Sequence, residues 1–187
     1  MKITFVSYIY PYPESGYNPG IERVIQEEAR ALAELGHEVT VICTYRNGGT
    51  TAEEYDEDIR LLRVSDSRRF LGRIGSLFSL DMISINIALL RYRSLLEESD
   101  IVHTFSPLPF RLHQTPLVAH YHHWDDPDGL SDYLHLPTSN RLWLRTYDEA
   151  DRVIAVSEYS KGELVSKGIP ASKISVVYNG VDNYRFN

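Results

Sequence analysis

The stretch from Lys2 to Thr44 constrains this chain most, because it runs through two periodicities in a fixed order. Lys2-Ile3-Thr4-Phe5-Val6-Ser7-Tyr8 is short, apolar and β-branched, the mark of a strand. Ile9 to Gly20 is a loop by its Pro and Gly content. Ile21, Val24, Ile25, Leu32 and Leu35 then recur at helical spacing, with Gly36 as the stop. Arg23 and Glu27 stand four apart on the wet side. Val39-Thr40-Val41-Ile42-Cys43 reads as a second, fully buried strand. Strand, crossover helix and strand make a right-handed parallel unit. Ligands of such sheets sit beyond the carboxyl ends of the strands, where the loop ending at Gly20 lies. Free N–H groups and the helix dipole there favour an anion such as a phosphate, although the same residues serve equally as a plain turn.

The alternation continues down the chain. Tyr45 to Asp58 is a polar stretch with a turn at Asn47-Gly48-Gly49, and Ile59 to Val64 is a modest strand. Phe70 to Leu96 is helical, with a break near Ser79. Met82, Ile85, Leu89, Tyr92 and Leu96 form one face, and Ile83, Ile87 and Leu90 widen it, which predicts a mostly buried helix. Asp100 to Thr104, Pro116 to Tyr121, Arg152 to Val156 and Lys173 to Tyr178 are further strands, and Asn140 to Asp148 is a helix. Ser157 is placed to cap the helix that follows, Glu158 suits its dipole, and Gly168 and Pro170 end it. About six or seven strands alternating with helices predict an α/β fold. It would be one Rossmann-like domain, a doubly wound and mostly parallel sheet with helices on both faces.

Size and charge exclude several functions. A chain of 187 residues is one ordinary domain. A net charge of −7 argues against nucleic acid as a partner, since phosphate backbones need a basic surface. Cys43 is the only cysteine, which rules out an internal disulfide framework and suits a reducing cytoplasm. Met1 leads straight into a strand, so no signal peptide is expected, and no apolar run is long enough to span a membrane. Arg68 to Arg93 departs from the acidic average, with five arginines against Asp81 and Phe70, Leu71, Ile74, Leu77 and Phe78 among them. Such a stretch either lies peripherally on an anionic bilayer or is a core helix with a solvated basic edge.

The chemistry-bearing residues gather at the end of the Pro116 strand. His120, His122 and His123 run into Trp124, Asp125, Asp126 and Asp128, residue types that bind divalent metals. Strand alternation, however, sends His120 and His122 to one face and His123 to the other, and no helical spacing converges the set. No metal is therefore expected. His122, at a strand's carboxyl end, fits a sugar-binding or proton-handling role, with a plain structural histidine as its competitor.

The last segment carries a family pattern. Asp151-Arg152-Val153-Ile154-Ala155-Val156-Ser157-Glu158-Tyr159-Ser160-Lys161, then Lys173-Ile174-Ser175-Val176-Val177-Tyr178-Asn179-Gly180-Val181-Asp182 and Phe186, closely resembles the end of the N-terminal domain of retaining glycosyltransferases of family 4. Gly20-Ile21-Glu22-Arg23-Val24 resembles that family's "GGIERVV", and Leu35-Gly36-His37-Glu38-Val39-Thr40-Val41 its "RGHEVTV". Asp100-Ile101-Val102-His103 resembles its "DIVH" strand, and Pro116 to His122 the strand whose terminal histidine faces the cleft. The likeness spans nearly the whole chain. One departure is that the family's paired glycines appear here as Pro19-Gly20; Pro19 fixes its own φ and removes an N–H, while Gly20 keeps a close approach open.

The resemblance implies a GT-B enzyme of two facing Rossmann-like domains, which moves a sugar from a nucleotide-sugar to an acceptor with retention. It implies no metal or other cofactor, and a sugar or lipid-linked acceptor. It makes residues 1–178 the acceptor-side domain and 179–187 the start of an interdomain linker, with the donor-binding domain absent. His122 would be the catalytic-position residue, contacting the transferred sugar or the acceptor hydroxyl. Pro19, Gly20, Ile21, Tyr10, Tyr17, His103 and Glu158 would line the substrate site. Tyr8, Tyr10, Tyr12 and Tyr17 could stack on a sugar ring, tyrosine having both a face and a hydroxyl. The enzyme would be cytoplasmic or peripheral on the inner membrane face, and the isolated chain inactive. Two rivals are a non-catalytic sugar- or lipid-binding module and a dinucleotide-dependent oxidoreductase; the latter is disfavoured because the first loop lacks GxGxxG and runs long.

Overall fold

The computed structural model describes residues 1–11, 20–44, 52–64, 80–122 and 140–180. Its eight strands form one sheet: β1 (Lys2–Val6), β2 (Glu38–Thr44), β3 (Ala52–Asp56), β4 (Ile59–Val64), β5 (Ile101–Thr104), β6 (Leu117–Tyr121), β7 (Arg152–Ala155) and β8 (Ile174–Val176). The order across the sheet is β3-β4-β2-β1-β5-β6-β7-β8, and every pairing is parallel except the β3–β4 hairpin at one edge. The α/β reading therefore holds, with one strand more than expected. That strand, β3, lies within the stretch read as polar. Its side chains alternate between half-buried and exposed, as an edge strand allows, so it lacks the apolar run of the central strands.

The helices are α1 (Gly20–Glu34), α2 (Leu80–Arg91), α3 (Arg93–Glu97), α4 (Asn140–Glu149) and α5 (Glu158–Ser166). One core, on the α1 face, joins Ile3, Phe5, Val39, Val41, Ile59 and Leu61 of the sheet to Ile25 and Ala29 of α1. The other face packs Ile42, Leu62, Val102, Ala119 and Val153 against Ile85 and Leu89 of α2, Leu96 of α3, Tyr147 of α4 and Leu164 of α5. Two-sided burial explains why the central strands are nearly continuous hydrophobic runs.

Some boundaries differ from the sequence reading. The break in the second helical segment falls at Tyr92, between α2 and α3, while the expected break near Ser79 lies outside the described residues. Ile87 and Leu90 do not widen the buried face: they are 64% and 58% exposed, while Ile85 and Leu89 are fully buried. The last strand stops at Val176, and Val177 and Tyr178 are exposed. Gly36 and Gly168, both read as helix stops, adopt φ of +83° and +95°, where a side chain would be strained.

The two ends of the sheet are held differently. At the amino end, Asp100 accepts from the Lys2 N–H at 2.7 Å and Asp151 from the Leu117 N–H at 2.8 Å. At the carboxyl end the tethers are hydroxyls. Ser106 Oγ accepts from the Tyr8 N–H at 2.7 Å, Ser7 Oγ from the Ile9 N–H at 3.1 Å, and Thr44 Oγ1 donates to the Tyr8 carbonyl. The loops after β1 and β5 are thus fastened at their first residues, on the rim where such sheets bind ligands.

Candidate functional site

Alternation on β5 and β6 sends His103, Phe105, His120 and His122 to the α1 face, beside Phe5 of β1. Their rings form a file. His103 and His120 lie 5.4 Å apart within 4° of parallel, and His120 and His122 lie 4.4 Å apart at 16°. Phe105 covers all three, its centroid 4.7 Å from His103, 4.7 Å from His120 and 5.9 Å from His122. His103 and His120 are buried; His122, one residue past the end of β6, is half-buried.

Helix α1 lays Glu28 over the file. Its Oε2 lies 3.8 Å from His103 Nδ1 and its Oε1 3.7 Å from His120 Nδ1, both beyond hydrogen-bond length. Both nitrogens of His120, and Nε2 of His103 and His122, are buried without a hydrogen-bond partner among the described residues. Burial shapes the charge state. It pushes the Glu28 carboxyl up to about 7 and holds His122 down to about 4. Burial, reinforced by the neighbouring imidazoles, takes His103 to about 3 and His120 to about 2. By distance alone the Glu28 contacts would count as ion pairs, but imidazoles so strongly desolvated are neutral at pH 7. The contact is therefore between a carboxyl group and neutral ring dipoles. A neutral imidazole offers one N–H and one lone pair, enough to orient a hydroxyl.

A second network anchors the loop after β1. Asp56 accepts from Tyr10 Oη at 2.9 Å, Gln26 Nε2 at 2.9 Å and Arg30 Nη2 at 3.0 Å. Burial alone would raise the Asp56 carboxyl, but these donors outweigh it and hold it below the usual range. Arg63, 1% exposed on β4, pairs with Glu54 at 2.9 Å, donates to the Pro11 carbonyl at 2.9 Å, and stands over the Tyr10 ring.

The structure unites some of the sequence candidates and separates others. His103 and His122 share one file, linked by His120. Tyr10 is 5% exposed, its hydroxyl committed to Asp56, so it holds the loop in place and has no open ring face for a sugar. Tyr8 packs on the opposite core. Gly20 opens α1, exposed, and Ile21 packs half-buried on the α1-face core. Glu158 is exposed in the first turn of α5 and forms no hydrogen bond or ion pair with the file among the described residues. Pro19, Tyr17, Tyr12, His123, Trp124, Asp125, Asp126 and Asp128 lie outside the described residues, as do residues 65–79 of the basic stretch. Glu28 was missed. Its signal was an acid on the apolar line Ile21, Ile25, Glu28, Leu32, where helical spacing asks for a hydrophobe.

The sequence profile of Glycosyltransferase Family 4 matches residues 19–185. This chain belongs to that family. No curated protein sequence matches it. Among solved structures it is similar to Anabaena HepE in complex with UDP and glucose, at 19% identity and a TM-score of 0.53, covering 97% of this chain and 45% of HepE. It is similar to sucrose-phosphate synthase of Thermosynechococcus elongatus at 13% identity and a TM-score of 0.58, covering 97% and 48%. It is also similar to WaaG, a glycosyltransferase involved in lipopolysaccharide biosynthesis, at 13% identity and a TM-score of 0.55, covering 98% and 46%. At such identities the likeness shows the fold, one half of the two-lobed GT-B architecture. The chain spans about half the length of these structures. Among the described residues no helix is long and apolar enough to cross a membrane.

Proposed function

We propose that this family 4 domain is the acceptor-side half of a retaining glycosyltransferase that moves a sugar from a nucleotide-sugar to a sugar or lipid-linked acceptor. The observation that carries the reading is His122, which ends the buried imidazole file one residue beyond the carboxyl end of β6. Ligands of open parallel sheets sit just outside that rim. There His122 is half-buried, stacked on His120, and its Nε2 has no hydrogen-bond partner among the described residues. A neutral imidazole so fixed can accept from, or donate to, one hydroxyl of a bound sugar without leaving its stack. HepE, solved with UDP and glucose, shares this fold, which supports a nucleotide-sugar as donor.

Gly20 and Ile21, which open α1, are proposed together with Pro19 to face the acceptor or a phosphate. His103 serves this site from beneath, through His120, and Glu158 from the neighbouring helix start. In this reading the donor is held mainly by a second lobe, so activity belongs to the longer polypeptide. The experiment compares the full-length enzyme with the 187-residue chain on a panel of nucleotide-sugars that includes UDP-glucose. Nucleoside diphosphate release is measured, and the anomer formed is read by NMR. Transfer with retention by the full-length enzyme, and none by the 187-residue chain, is the expected result. Turnover by the 187-residue chain alone would refute the division of labour, and an inverted product would refute the retaining reaction.

A further inference from the structure

Beneath α1, three side chains converge with no hydrogen bond between any two of them among the described residues. Glu28, His103 and His120 each offer one donor atom, and these atoms all lie within 4.8 Å of one another. The two histidines stand on adjacent parallel strands, β5 and β6, so their backbones are fixed by the ladder. His120 is 3% exposed, with neither ring nitrogen bonded among the described residues, and Nε2 of His103 is likewise unpaired. Burying imidazole nitrogens without partners is unfavourable unless something fills the gap.

We propose that Glu28, His103 and His120 form a binding site for one divalent transition-metal ion of the zinc class, which clips α1 onto β5 and β6. Two imidazoles and one carboxylate are the donor set of three-ligand zinc centres that leave a fourth position for water. Tetrahedral zinc with bonds of about 2.0–2.1 Å sets neighbouring ligand atoms about 3.3 Å apart. The Glu28 oxygens stand at 3.7 and 3.8 Å from the two Nδ1 atoms, a contraction that a long side chain on a helix can absorb. The two rings are within 4° of parallel, so one must turn about its Cβ–Cγ bond before both lone pairs point at a common centre. That torsion is broad for histidine. The Glu28 side chain is 34% exposed while those of His103 and His120 are 11% and 2%, so the carboxylate marks the path of entry. The proposal stands apart from sugar transfer: the metal would hold the layer beneath His122, whatever the rim binds.

The test uses the 187-residue chain, stripped with chelator and titrated with zinc by calorimetry and with cobalt by visible absorption. One equivalent of zinc, a tetrahedral cobalt spectrum, and a zinc-dependent rise in melting temperature are expected. Glu28→Gln and His120→Asn should each weaken zinc binding by at least about tenfold. His113→Asn, an exposed histidine elsewhere, should bind as the wild type does. Should either site variant fail to fold, zinc-induced shifts of the His103 and His120 imidazole resonances in the wild type decide the question. The proposal is overturned by the absence of a saturable one-to-one phase, by binding that survives both site substitutions, or by shifts confined to other histidines.

Discussion

Asp56 illustrates how one side chain can tie together segments far apart in the chain. It gathers Tyr10 from the β1 loop and Gln26 and Arg30 from α1 onto one carboxylate at the tip of the β3–β4 hairpin. Removing the charge leaves the Tyr10 hydroxyl buried against a weaker acceptor, so Asp56→Asn should destabilise the fold by about 1–3 kcal/mol, read by urea denaturation. The pH dependence follows from the lowered carboxyl. Because the folded state binds this proton more weakly than the unfolded chain, the stabilisation is whole above the ordinary carboxylate range, near 3.8, and drains away as pH falls through the folded value. In Asp56→Asn that acid-side loss should shrink. At this scale alternation alone foretold that His120 and His122 share a face, and their rings do stack. Glu28 carried a local signal, an acid on the apolar line of α1, but which residues it would meet depends on how α1 crosses the sheet, a tertiary fact. Tyr10 failed as a sugar platform for the same reason: its partner Asp56 is 46 residues away.

Helix α5 shows which elements were legible. Ser157 Oγ accepts from the Ser160 N–H at 3.0 Å with extended backbone at the cap, and Gly168 closes the far end with φ of +95°. Both signals are local chemistry, so the sequence displays them directly. Ser157→Ala should cost about 1 kcal/mol in thermal or urea unfolding, with Ser157→Asp nearly neutral. Elements set by their neighbours were harder to read. Strand β3 exists because β4 offers it a free edge, and its residues, AEEYD, carry no strand periodicity of their own. Ile87 and Leu90 made α2 look mostly buried, yet helical geometry turns them away from the Ile85–Leu89 line and leaves them in solvent.

For the whole molecule, the repeated strand-and-helix rhythm was enough to specify a parallel sheet covered on both faces, and the family profile agrees over residues 19–185. The fold also explains where a site belongs. Carboxylates pin the amino ends of the strands, hydroxyls fasten the carboxyl-end loops, and the buried imidazole file emerges at that second rim as His122. The central claim is that His122 meets the sugar. The most direct measurement is kcat/KM for sugar transfer by full-length His122→Ala beside the wild type, with the unfolding midpoint recorded for both. A loss of about 100-fold or more with the midpoint little changed is the predicted result. Transfer within about twofold of wild type, at unchanged stability, would contradict the account.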